Sequence, residues 1–259
     1  NYTPGISCGW RPIKGLTLRT EGTIGLKWTD QKRFYGALTK TGISNNSQPV
    51  ASISKSQGFS YTWTNTANYA FTLKDVHNLS FLIGQEITHN QSENTFMQNR
   101  YFPRSFTAEE AWNNMGFGTS SPQGATSGLS TAGRMASFFG QANYNFDHRY
   151  LFSVTFRADG STRFAPGYQW GYFPAVSGAW VVSKEKFMKD IKWIDQLKLR
   201  ASFGLTGNNN IDMDLWRPLY AINSSGGPGF GEVTQYGDQF YGNASGSKMQ
   251  NYGIKWETT

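Results

Sequence analysis

The chain has 259 residues, of which 16% are aromatic and only 16% charged, with a formal charge of +7. Soluble domains use roughly 25% charged residues, so this composition points away from an ordinary cytosolic enzyme. No run approaches the ~18–20 apolar residues of a membrane helix, and a mean hydropathy of −0.51 leaves a membrane barrel open, because barrel strands are only half apolar.

The length suits one large domain or two small ones. The single cysteine, Cys8, excludes an internal disulfide framework and a cysteine-based metal cluster. The basic residues are scattered, so nucleic acid is not an expected partner. The opening Asn1-Tyr2-Thr3-Pro4-Gly5 shows no initiator Met or signal-peptide pattern, and the closing NYGIKWETT stops inside a strand-like run. The chain therefore reads as a portion of a longer one.

Pro12 and Gly15 mark a tight turn into a first alternating run, Leu16 to Thr29, with Leu16, Leu18, Ile24, Leu26 and Trp28 on one side. Residues 31–56 are polar and rich in Ser, Asn, Gly and Lys, and read as a long loop. From Phe59 to Leu73 the alternation is the longest in the chain: Phe59, Tyr61, Trp63, Ala67, Tyr69, Phe71 and Leu73 face one way, and Asn65 is the exception. A short turn at Lys74–His77 leads to Leu79, Phe81, Ile83 and Ile87, a run that Gln85 interrupts.

Residues 91–131 read as a second long loop, with a helical turn at Glu109–Trp112 and a Gly/Ser/Thr tract after Gly116. Strands are expected over Ala132–Phe146, Tyr150–Ala158, Tyr172–Val182 and Leu197–Leu205. A tight turn at Asp147–Arg149 joins the first two of these, and a moderate connection from Lys184 to Gln196 joins the last two. A third long loop covers 208–251, and another strand begins near Gly253.

Alternation alone fits two architectures. A soluble antiparallel sheet turns its apolar face inward. A transmembrane barrel turns it toward lipid. Strand length and connection pattern decide between them. Runs of ten to fifteen residues match the ~9–11 needed to cross a bilayer at a tilt. Short and long connections alternate from one strand end to the other, as in an up-and-down barrel. The expected fold is all-β, an antiparallel up-and-down transmembrane barrel of about eight to nine strands, part of a larger one.

Several segments carry a resemblance. RADGSTRFAPGYQWGYFPAVSGAWVVSKEKFM (Arg157 to Met188), LKLRASFGLTGN (Leu197 to Asn208), IKWETT (Ile254 to Thr259) and HNLSFLIGQE (His77 to Glu86) resemble stretches of the SusC/RagA family of TonB-dependent outer-membrane transporters of the Bacteroidota. The departures are small: Thr162 and Ala175 where Ser is usual, and Ile254 where Leu is usual. The resemblance implies residues 1–259 of a single plugged barrel of the 22-strand class, with neither the plug nor a TonB-box segment visible here. It implies import energised through TonB, of glycan or peptide oligomers, with a SusD-like surface lipoprotein as lid. The alternatives are a small self-contained porin or outer-membrane enzyme, and a soluble β-rich carbohydrate-binding or adhesin domain.

No catalytic or cofactor motif stands out. His77, His89 and His148 sit in turns or at strand ends that do not converge on a metal. There is no Gly-x-Ser-x-Gly elbow and no phosphate-binding glycine loop. Glu21, Glu86 and Asp159 fall on the polar side of their strands, where charges are ordinary in a barrel lumen. Asp159-Gly160 favours a turn, Asp159 with Arg163 is an expected ion pair pinning that loop, and Arg157 is placed to pair with Asp159 or to meet the plug. Arg157, Asp159, Arg163 and Arg200 are thus candidate lumen or loop contacts. Trp112, Trp170 and Trp216, with Tyr168 and Tyr236, are loop aromatics that suit stacking on sugar rings or on a lid, and equally suit loop packing.

Overall fold

The computed structural model describes residues 1–188, 191, 193–217, 220–221, 234–236, 239–241, 243–244 and 250–259. Nine strands form one sheet: β1 (Gly5–Trp10), β2 (Leu16–Tyr35), β3 (Val50–Leu73), β4 (His77–Arg100), β5 (Thr119–Leu129), β6 (Gly133–Phe146), β7 (Tyr150–Ser161), β8 (Trp170–Val181) and β9 (Lys198–Gly204). Their order is β1-β2-β3-β4-β6-β7-β8-β9, with β5 joined to β4. Among the described residues no helix is long and apolar enough to cross a membrane.

The tight turns lie where the sequence puts them. Lys74 and Asp75, and again Asp147 and His148, all adopt left-handed backbone conformations. Val76 N–H donates to Leu73 O at 3.3 Å and Arg149 N–H to Phe146 O at 2.8 Å. Two successive left-handed residues give the twist that matches paired strands. Gly15, at φ +89°, supplies the first turn, and its missing Cβ leaves room for the Ala70 carbonyl, whose own N–H bonds Gly15 O at 2.9 Å.

The chain divides into two compact units. The first holds residues 1–5, 23–61 and 89–132. Here the polar segments 31–56 and 91–131 are not loops throughout. β2 continues to Tyr35, β3 starts at Val50, β4 runs to Arg100, and the Ser/Thr/Gly-rich stretch forms β5. β5 pairs with β4 from Glu93↔Leu129 to Arg100↔Thr119, with a register shift between Met97 and Asn99. Backbone pairing extends these strands where side-chain polarity no longer alternates. Ala51, Phe102, Ala111 and Met115 are buried together, with Phe34, Ile53, Met97, Phe106 and Trp112 packed around them. The helical turn read at Glu109–Trp112 is helix α1 (Ala108–Asn113). Thr107 caps it: Glu110 N–H donates to Thr107 Oγ1 at 3.3 Å, and Thr107 N–H donates to Glu110 Oε2 at 2.7 Å. That backbone bond, then the Thr107 hydroxyl, holds the Glu110 carboxyl below the usual carboxylate range.

The second unit holds residues 6–22, 62–88 and 133–259. Its hairpins are regular. β6 and β7 pair from Met135↔Ser161 to Phe146↔Tyr150, and β7 and β8 from Tyr150↔Trp180 to Gly160↔Trp170. β8 and β9 pair from Ala175↔Gly204 to Val181↔Lys198. Asp159-Gly160 therefore lies inside β7 rather than in a turn. β6 pairs past it, to Ser161, and β8 pairs as far as Gly160 itself; Gly160 leaves the space that the Trp170 ring covers, with ring atoms 3.0 Å from where a Cβ would stand. The strand expected near Gly253 is short: Glu257–Thr258 pairs with Gly207–Asn208. Most of the long loop expected over 208–251 lies outside the described residues.

Candidate functional site

The hairpin registers sort the second unit's side chains onto two faces. One face carries Phe138, Tyr144, Phe152, Val154, Phe156, Tyr172, Val176, Leu199 and Phe203. All of them are exposed, Phe203 at 73% and Val154 at 39%. The other face is polar. Gln141 Nε2 donates to Asn143 Oδ1 at 3.1 Å and to Ser153 Oγ at 3.3 Å, and Asn143 Nδ2 donates to Ser80 Oγ at 3.1 Å. These bonds tie β4, β6 and β7 through their polar side.

The charged centre of that face is Arg157. Its Nε donates to both Asp159 carboxylate oxygens at 2.8 Å. Its Nη2 stands 3.7 Å from Glu86 Oε1, and its guanidinium lies over the Phe139 ring, 5.4 Å from the centroid. Glu86 also accepts from Thr64 Oγ1 at 3.2 Å. One guanidinium thus faces two carboxylates, which leaves the group net negative and fixes the arginine plane.

Asp159 is buried beside an aromatic knot. Trp256 packs on Phe164 and Phe173 with centroids 5.2 and 5.3 Å apart, and its Nε1–H donates to Gln169 O at 2.8 Å. Gly171, directly opposite Asp159, has no side chain because a Cβ there would collide with Phe173 and Trp256. The knot therefore closes over the end of β7 and holds Asp159 toward Arg157.

The expected Asp159–Arg163 pair does not form. Arg163 Nη1 donates instead to the Ile211 carbonyl. Because β7 runs on to Ser161, Arg163 lies beyond the strand end, while Arg157 stands two residues before Asp159 on the same face. Arg200 belongs to the polar face as expected. It stands opposite Ala179 on β9, exposed, beside a hollow that Asn145, Ser153, Ser177 and Ser202 also line.

The tryptophans separate. Trp170 opens β8 on the apolar face and stacks on Phe138 at 6.1 Å, away from Arg157. Trp112 is in the first unit, where its Nε1–H donates to Arg33 O at 3.2 Å and Lys32 Nζ lies 5.5 Å from its ring centroid. Trp216 carries the Arg217 guanidinium 4.7 Å from its centroid. Tyr168 is exposed. The side chain of Tyr236 is outside the described residues.

Phe139, Thr64 and Trp256 belong to the site without having been singled out from the sequence. The Phe138-Phe139 doublet was the available signal for the first, since it puts one aromatic on each face. Among the described residues no group of three or more His, Cys, Asp or Glu side chains is placed to hold a metal. The geometry offers fixed hydrogen-bond donors, acceptors and paired charges.

At the short-turn end a second network anchors the β8–β9 connection. Glu185 accepts from Tyr150 Oη at 2.6 Å, Trp180 Nε1 at 3.0 Å and Arg149 Nη1 at 3.5 Å. The Tyr150 bond, then the Trp180 bond, holds the Glu185 carboxyl below its ordinary range.

No family model matches the chain. It is 40% identical over 132 residues to TonB-dependent receptor SusC of Bacteroides thetaiotaomicron, covering 50% of this chain and 12% of that protein. It is 30% identical to TonB-dependent receptor P39 of Formosa agariphila over 93% of this chain and 22% of the relative. The solved RagAB peptide transporter superposes on 99% of this chain with a TM-score of 0.79 at 22% identity, using 26% of its own chain. The "open-open" state of the RagAB peptide importer matches at a TM-score of 0.73. The chain thus spans about a fifth of the P39 relative and about a quarter of the RagAB chain. Its antiparallel sheet is a section of their barrel fold, and the chain belongs to the SusC/RagA-type TonB-dependent receptors.

Proposed function

We propose that the protein containing this chain imports glycan or peptide oligomers across the outer membrane, energised through TonB and assisted by a SusD-like lipoprotein lid. One observation carries the reading. In the second unit the sheet exposes a predominantly apolar face, while its other face holds a fixed ion-pair cluster and a ladder of amides and hydroxyls. A water-soluble protein would bury the first face. A barrel sets it against lipid and lines its lumen with the second.

On this reading residues 1–259 are part of one barrel domain whose long connections face outside the cell. Arg157, Asp159 and Arg200 face the lumen, where they meet the plug or the passing solute. Arg163 supports the rim by holding Ile211. Trp112, Trp170 and Trp216 act by packing. The relatives are receptors and transporters, which supports a binding and import role rather than catalysis.

The test is isolation of the whole protein from outer membranes in detergent, with intact mass and co-purifying chains, followed by uptake assays. Support is a chain several times longer than this one with a lipoprotein partner, and oligomer uptake that stops when TonB is deleted. A protein that stays soluble without detergent would overturn the proposal.

A further inference from the structure

Two side chains break the apolar face, and the transport reading uses neither. Asn65 on β3 and Gln85 on β4 occupy outward positions in runs that are otherwise Trp63, Ala67 and Tyr69, and Ile83 and Ile87. They lie side by side, since their neighbours on the other face, Thr64 and Glu86, are bonded across the two strands at 3.2 Å. Among the described residues neither amide has a hydrogen bond or ion pair. Both line one hollow of about 780 Å³, walled by Trp10, Leu18, Phe138 and Phe156, with the small Ala67 and Gly140 at its floor.

An amide without a partner in hydrocarbon is costly, because lipid chains offer no hydrogen bond. The hollow is the size of a ligand site, and its lining is apolar apart from these two amides, Cys8, Thr20, Thr66 and Arg19, whose guanidinium is paired with Glu21 at 2.7 Å. Thr20 is occupied, its Oγ1 accepting from Trp63 Nε1–H at 3.0 Å. An occupant must therefore be a greasy chain with one polar group at the depth of Asn65 and Gln85. That depth is defined. Trp63 is two residues away, roughly 7 Å along the strand. Interfacial aromatics mark the headgroup level. The amides thus lie just inside the band, where the first carbons of an acyl chain run.

We propose that this hollow binds a membrane amphiphile whose acyl chain carries a hydroxyl or amide close to its headgroup. Asn65 and Gln85 hydrogen-bond that group, and Phe138, Phe156, Leu18 and Trp10 hold the chain. The inference rests on the membrane reading above.

The test compares the whole receptor with its N65L/Q85L and G140L variants, each purified from outer membranes in mild detergent, by mass spectrometry of bound lipid. N65L/Q85L removes both amides while making the face more apolar, so assembly should persist. G140L fills the hollow, and a Cβ at Gly140 meets nothing closer than Leu82 O at 3.7 Å. The wild type should retain hydroxy- or amide-linked acyl lipid enriched about tenfold over bulk membrane, and both variants should lose that enrichment. A detergent-dependent receptor with bulk lipid only, with enrichment equal in all three proteins, or with a second receptor copy over the hollow, overturns this inference alone. A receptor that needs no detergent overturns the membrane reading with it.

Discussion

Replacing Val154 by Arg tests which solvent the apolar face meets. Val154 is 39% exposed, between Ala142 on β6 and Val176 on β8. The nearest tryptophan-bearing rungs are Tyr150–Trp180 on one side and Gly160–Trp170 on the other. They lie four and six residues away, roughly 13 and 20 Å along the strand. A strand tilt of ~40° reduces these to roughly 10 and 15 Å of depth, well inside a hydrocarbon core. Arg there should cost ~2–4 kcal/mol. If the face met water, so exposed a site would accept Arg within ~0.5 kcal/mol. The control is Ser153→Arg on the polar face, which loses the Gln141 bond at 3.3 Å, about 1 kcal/mol. The assay is denaturant unfolding of the whole receptor in bilayers, with heat-modifiable gel mobility reporting assembly. V154R as stable as wild type, or less harmful than S153R, would refute the assignment of faces.

Asp159→Ala should cost ~1–3 kcal/mol by leaving Arg157 with only Glu86 at 3.7 Å. A double-mutant cycle should show coupling of Asp159 to Arg157 and close to none to Arg163. Gly15→Ala should cost ~1–3 kcal/mol, since φ is +89° and a Cβ would collide with Ala70 O; thermal unfolding measures it. Glu110 has a depressed carboxyl pKa, so its contribution to α1 is complete above the ordinary carboxylate pKa and is lost as pH falls through the lower folded value. Hydrogen-exchange protection factors over residues 107–113 should fall with acid in the wild type and show no such pH step in E110Q. Trp112→Phe should cost about 1 kcal/mol by removing the bond to Arg33 O, read as a lower unfolding midpoint with import unchanged.

Much of the architecture was legible in the residues themselves. Strand periodicity is local, so β6, β7, β8 and β9 could be placed from alternation, and Gly15, Asp147 and His148 marked their turns. Segments 31–56 and 91–131 were misread because backbone pairing, not side-chain polarity, extends β2, β3 and β4 there and makes β5 from Ser, Thr and Gly. At the candidate site the sequence supplied Arg157 and Asp159 on one face but chose the wrong partner for the arginine beyond them.

What the sequence determined is the alternation of each strand, and with it two faces of opposite character. What only the tertiary structure decided is register. Register sets Glu86 and Phe139 around Arg157, closes Trp256 over the end of β7, and brings Asn65 beside Gln85 in one hollow. A strand's pattern repeats every two residues and carries no address for its neighbour, so these meetings follow from pairing across the sheet and from the residues that fill the space between strands.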